Sequence, residues 1–236
     1  MHLNQREREL RRVVSRIRAR SGGKLLSSRS KIVDLPNDWF AREDETPDEV
    51  FYREPRLGVH IDDATIEAVR NYYAEALPPS GLILDLMSSW RSHLPSARQS
   101  RVVGLGMNEI ELAENPELDR RVVHDLNANP KMELPDDSFD AAIVNVSVQY
   151  MTRPVAIFAD VWRVVKSGCS FHVIFSDRIF PTKAVSIWLS LPSPAKRSDL
   201  IQSYFELGGN WDQIEFINRS PGGAFDPLYI VRAVAR

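Results

Sequence analysis

A chain of 236 residues, 43% hydrophobic and 26% charged, has room for one sizeable α/β domain with an N-terminal extension, not for two full domains. A net charge of -2 and a pI near 6.2 argue against nucleic-acid binding through bulk charge. No apolar run approaches the ~18 residues that a membrane-spanning helix needs. The only cysteine, Cys169, excludes an intramolecular disulfide framework and a cysteine-based zinc cluster. The opening "MHLNQRERELRRVV" lacks the apolar core of a secretory signal, so a reducing cytoplasm is the expected compartment.

Taken in order, residues 3–20 carry Leu3, Leu10, Val13, Val14 and Ile17 at helical spacing, which predicts an amphipathic helix. Residues 1–31 hold ten Lys or Arg against Glu7 and Glu9. That arm reads either as a contact for RNA, a membrane surface or an acidic partner, or as a solvated helix that docks on the domain or on a second subunit of a homodimer. "SGGKLLSSRSK" is a linker. A helix follows from Asp62 to the stop at "PPSG". "LILDLM" and "RVVGLGM" are strands, "EIELAENPEL" a short helix and "RRVVHDL" a third strand. "DAAIVNVSV" is the fourth strand, "PVAIFADVWRVV" a helix closed by "KSG", and "SFHVIFS" the fifth strand. "KAVSIWLSL" and "RSDLIQSYFELGG" are helical, and "QIEFINRS" and "LYIVRAVA" make a last, antiparallel pair.

Alternation of this kind predicts a Rossmann-like seven-stranded, mainly parallel sheet covered on both faces, with an antiparallel last strand and an N-terminal helical extension. The expected division is residues 1–59 as basic helix, linker and lid-like segment, and 60–236 as the main domain. Ligands in such sheets sit beyond the carboxyl ends of the strands, where strand order switches.

The run Leu134, Pro135, Asp136, Asp137, Ser138, Phe139, Asp140, the fourth strand after it, and the helix ending at Lys166, Ser167, Gly168, Cys169 carry a family likeness. In order and spacing they resemble a class I S-adenosylmethionine-dependent methyltransferase of the small-molecule "type 11" group, over roughly residues 60–236. The resemblance implies S-adenosylmethionine as cofactor and a small-molecule methyl acceptor as partner. It matches Asp85 to the acid before the cofactor loop, and Asp125 with Leu126 to the adenine position. Met87, Ser89 and Arg91 stand where the family has three glycines, and Gly106 where it has an acid for the ribose. Ser88, Trp90, Met107, Asn108 and Asn145 complete the expected cofactor wall, with Asn108 as a substitute for the ribose acid.

Ahead of the core, "FYREPRLGVHID" places Tyr52, Arg56 and His60 where a lid would face the acceptor, Arg56 meeting the cofactor carboxylate or an anionic substrate. Gln149 and Tyr150 are the other acceptor-side residues, and His60 and Tyr150 the candidate bases for an oxygen acceptor. His93 and His124 flank the cleft and read as structural. No Ser-His-Asp elbow, phosphate loop or metal-ligand spacing is present, and "NVSVQY" lacks the pattern of nucleic-acid amino methyltransferases. The expected function is methyl transfer to a small molecule. The alternative, raised by the missing glycines and ribose acid, is a catalytically inactive methyltransferase-like binding or scaffolding protein.

Overall fold

The computed structural model describes residues 5–21 and 35–236; the linker and Leu3 fall outside the described residues, as does the Ile17 side chain. Helix α1 spans Gln5–Ser21. Its Leu10 and Val14 are buried against α6 (Ser186–Ser190) and α7 (Pro194–Leu207) of the same chain. Arg6 donates to Ser186, and Trp39 Nε1 donates to Glu9, which ties down this end of the arm. Of the two readings of the arm, docking on its own domain is what the described part displays.

Helix α2 (Asp48–Phe51) is a single turn and was not foreseen, nor were the 3-10 turns Asn37–Phe40 and Val148–Tyr150. Helix α3 (Asp63–Ala76) starts where Asp62 accepts the Thr65 N–H as an N-cap, and ends before two prolines that cannot continue it. Strands β1 (Leu82–Leu86), β2 (Arg101–Gly106), β3 (Arg120–Val123), β4 (Phe139–Asn145) and β5 (Val165–Phe175) are parallel. Between β2 and β3, α4 (Glu109–Glu114) is shorter than expected, because Pro116 follows its C-cap, Asn115. Helix α5 (Pro154–Val164) runs directly into β5.

The expected turn at "KSG" is therefore corrected. Val165 already pairs with Phe139, and the next pair is Ser170 with Ala141, so residues 166–169 bulge within the strand, with Gly168 at φ 80°. β6 (Trp211–Asn218) and β7 (Tyr229–Ala235) are antiparallel to each other, and β7 is antiparallel to β5.

The order β3-β2-β1-β4-β5-β7-β6 reverses between β1 and β4. The period of two in β1 splits its side chains between the layers. Ile83 joins Ile66, Val69 and Tyr73 of α3, while Leu84 and Leu86 join Phe158 of α5 and Phe205 of α7. Helices thus cover both faces, and the open position left for a ligand is at the carboxyl ends of β1 and β4.

Candidate cofactor and acceptor cleft

A cleft of about 350 Å³ opens at that reversal, within the size range of small-molecule sites. One wall is the loop after β1. Met87 at φ 52° and His93 at φ 58° adopt the left-handed backbone that glycine usually supplies, so the turn keeps its shape without glycine. The surrounding residues hold it. Asp85 is buried and accepts Ser88 Oγ at 2.7 Å and Ser92 Oγ at 2.6 Å. The Glu117 carboxylate accepts the backbone N–H groups of Ser92, His93 and Leu94 at 2.7, 3.1 and 2.8 Å. Asn115 Nδ2 donates to Ser89 O and Ser92 Oγ. Burial raises the Asp85 carboxyl to about 7, against the lowering pull of both serines, and takes the His93 imidazole down to about 4.

Gly106 explains why the strand-two acid is missing. A Cβ built there would lie 2.1 Å from Ser88 O, because Ser88 N–H donates to Leu105 O and draws the loop against β2. Backbone, not a flexible side chain, fills the position. Gly106→Ala is expected to destabilise the fold by about 1–3 kcal/mol through overpacking, read as the shift in a urea unfolding midpoint. An unchanged midpoint would mean that the loop retreats freely.

The facing wall is α4. Asn108 caps it, accepting the Ile110 and Glu111 N–H groups, and its Nδ2 donates to Tyr52 O at 2.9 Å and Arg53 O at 3.0 Å. Both ends of its amide are committed, which corrects the expectation that Asn108 substitutes for the ribose acid. The carboxylate on this wall is Glu111, which the sequence reading missed. It accepts Ser89 Oγ at 2.6 Å and the Arg56 N–H at 2.7 Å, is nearly buried, and lines the cleft. The available signal was its place three residues after an N-cap at a strand's carboxyl end, where a first-turn acid faces the ligand side.

Residues 42–60 form the roof. Asp48 pairs with Arg42 at 2.6 Å and lies 3.4 Å from the fully buried Lys183, whose ammonium also donates to Thr46 O. Asn127 Nδ2 donates to Asp48 at 2.8 Å and to Tyr150 O at 3.0 Å, which joins the roof to the loop after β3. Trp90 lines the cleft and donates Nε1 to Gly58 O, with Arg91 stacked 4.2 Å from its ring. Asp125 accepts the Asn127 and Ala128 N–H groups through Oδ1, an Asx turn that presents its carboxylate beside Leu126 at the cleft. Asn145 accepts Tyr73 OH at 2.6 Å and donates to Ser92 O at 3.1 Å.

At the mouth, Phe180 is the centre of an aromatic group. His60 meets its edge at 5.2 Å, Tyr150 lies 5.9 Å away and Phe51 6.1 Å. Tyr150 OH accepts the Phe180 N–H at 2.7 Å, and burial raises its pKa further above the ordinary phenol value. A phenol held neutral in this way does not serve as a base, which corrects that expectation; Tyr150 props Phe180. The Tyr52 phenol is also raised by burial. His60 is lowered by burial, against a raising pull from Glu111, so its imidazole is neutral at pH 7 and able to accept a proton.

Every residue expected to hold the cofactor lines this cleft, and so do Tyr52, Arg56, His60 and Tyr150. Gln149 does not. It is buried beneath the Val148–Tyr150 turn, with Nε2 donating to Val146 O, which corrects its place on the acceptor side. His124 lines the cleft and bonds Asn129 O through Nε2. Among the described residues no cluster of His, Cys, Asp and Glu is arranged to hold a metal, and no helix is long and apolar enough to cross a membrane.

Residues 88–173 match the family described as methyltransferase domain. The [4+2]-cyclase SpnF superposes with a TM-score of 0.53 at 11% identity, over 77% of this chain and 88% of that one. A Thermotoga maritima S-adenosylmethionine-dependent methyltransferase, described as a possible histamine N-methyltransferase, gives 0.52 at 13%, over 73% and 91%. Haemonchus contortus phosphoethanolamine N-methyltransferase 2, in complex with S-adenosyl-L-methionine, gives 0.51 at 13%, over 72% of this chain and 52% of that one. No curated protein matches the chain in sequence. The family match covers only residues 88–173, and the superposed structures share the fold: the chain has the Rossmann-like seven-stranded sheet seen in S-adenosylmethionine-dependent methyltransferases.

Proposed function

We propose that the cleft binds S-adenosylmethionine and that the protein transfers its methyl group to a small molecule. The observation that carries this reading is the gathering of the expected cofactor residues around one cleft at the β1–β4 reversal, with a carboxylate on each flank. The match of residues 88–173 to a methyltransferase domain supports it, as does a neighbour crystallised with that cofactor.

The residues suit the group chemically. Asp125 can accept from the adenine amino group, and Glu111, the acid in reach of the missing strand-two position, can accept from the ribose hydroxyls. The self-held loop after β1 and Trp90 would flank the remainder. When bound, the cofactor supplies a methyl group already activated by its sulfonium, so the protein's own work is alignment and exclusion of water. Phe180, propped by Tyr150, closes the mouth, and residues 42–60 act as a lid. His60, neutral and at the rim, takes the proton released by an oxygen or nitrogen acceptor.

Calorimetric titration with S-adenosylhomocysteine is expected to give saturable binding. Glu111→Gln is expected to weaken it about tenfold or more, the loss of a hydrogen bond to a charged group, with a melting temperature close to that of the parent. No heat and no thermal shift at millimolar ligand would remove the methyl-transfer reading and leave a binding or scaffolding role.

A further inference from the structure

Arg56 is a cleft cation with a buried donor nitrogen that the described residues around it leave unpartnered. Its Nη2 donates to Phe51 O at 2.9 Å, but its Nη1 is buried without a partner. Its guanidinium carbon lies 4.5 Å from the Phe51 ring centre and 5.5 Å from those of Tyr52 and Phe180. The neighbouring carboxylates are engaged elsewhere. Glu111 holds Ser89 and the backbone N–H of Arg56 itself, while Asp48 holds Arg42 and Asn127 beside Lys183. Arg178, at the same mouth, is already paired with Asp226 at 2.7 Å. A half-buried guanidinium with one buried nitrogen unpartnered gains from an anion that completes it, and its planar fork suits the paired oxygens of a carboxylate or phosphate.

We propose that Arg56 is the anion-recognition residue for the acceptor, and that the acceptor is a small ring-bearing acid. The proposal rests on the methyl-transfer reading only for the word acceptor; the anion site stands by itself. The aromatic surfaces of Phe180 and Tyr52 beside the guanidinium favour a flat apolar body attached to the acid group. Arg56 and His60 both sit within 5.5 Å of the Phe180 ring centre, so one ring-sized acceptor can meet both. In the transfer, the acceptor's lone pair forms the new bond to the methyl carbon, the carbon–sulfur pair returns to sulfur, and the acceptor's proton passes to His60.

The test is calorimetry on the full chain with benzoate and phenyl phosphate as acidic probes and benzamide as a neutral one, with and without S-adenosylhomocysteine. The acids are expected to bind at least tenfold more tightly than benzamide, and the tighter acid identifies carboxylate or phosphate as the natural group. Arg56→Gln is expected to bring the acids down to the benzamide level while S-adenosylhomocysteine binding stays within twofold. Arg56→Lys, which keeps the charge without the fork, should fall between. Equal binding of benzamide and benzoate to the parent protein overturns the proposal, and needs no variant to fold. A parallel loss of acid and S-adenosylhomocysteine in Arg56→Gln also overturns it, since Arg56 then serves the cofactor's own carboxylate. Acid binding that depends on Arg56 in a protein indifferent to S-adenosylhomocysteine would instead sink the methyl-transfer reading and keep the anion site.

Discussion

Replacing Asp48 by Ala is expected to destabilise the protein by about 3–5 kcal/mol, the usual consequence of removing one partner from a buried charge cluster. Asp48 is 4% exposed at its side chain, Arg42 8% and Lys183 0%. Without Asp48, the carboxylates left to the two cations are at the rim, Glu45 at 3.8 Å from Arg42 and Asp44 at 3.7 Å from Lys183. The damage should also reach the cleft. Asp48 lines it and holds Asn127, which in turn fixes the Tyr150 carbonyl and the Thr152 N–H. Weaker S-adenosylhomocysteine binding should therefore accompany the lower urea midpoint. Asp212→Ala, which removes an exposed pair with Arg236, is the matched control and should cost under about 1 kcal/mol. If the two variants unfold at the same midpoint, the cluster contributes nothing beyond surface charge.

The second large effect is a pH dependence of unusual sign. An unfolded chain titrates Asp85 near the ordinary 3.8, while the folded chain holds its proton to about 7. Between those values the native state binds the extra proton, so the Asp85 contribution is fully present below about pH 4 and is lost as the pH rises through 7. Ionising a carboxyl enclosed with Tyr73 and near Glu117 should cost a few kcal/mol across that window. Asp85→Asn supplies a permanently neutral amide of the same shape, whose oxygen can still accept the Ser88 and Ser92 hydroxyls. Its stability relative to the parent should improve from pH 5 to about pH 7 and level off above that in urea unfolding curves. A difference between the two proteins that stays constant over this range would mean that Asp85 is ionised throughout.

The strands and long helices were legible because their signals are local. The near-continuous apolar run "LILDL" states a strand buried on both faces, and the helical spacing of Ile66, Val69 and Tyr73 states which face of its helix is buried. Cofactor-wall positions were legible through strand ends, since any residue leaving β1, β2 or β4 at the carboxyl end faces the reversal. What local pattern could not state was how polar groups pair across distance. Asn108 looked like a ligand donor until Tyr52 and Arg53, more than fifty residues earlier, took its amide. Gln149 sits beside the cleft-lining Tyr150 in sequence, but the 3-10 turn rotates it inward. Glu111 and Phe180 were missed for the same reason in reverse. Neither belongs to a motif, and each reaches the cleft only because a separate segment packs against it.

The loop after β1 has a further consequence for recognition. Its amides at residues 92–94 are already bound to an internal anion, Glu117, and its turn is fixed by serine hydroxyls on Asp85. A glycine-rich loop is free to fluctuate until a ligand arrives, and part of the binding free energy then goes into arresting it. Here that arrest is completed during folding, as the chain closes on its own carboxylate. Ligand entry should consequently carry little entropy of ordering on this side, and affinity should respond to rigid shape more than to adaptability. Such a wall admits fewer shapes, and it should discriminate among cofactor analogues altered near the methionine end more sharply than a mobile loop does.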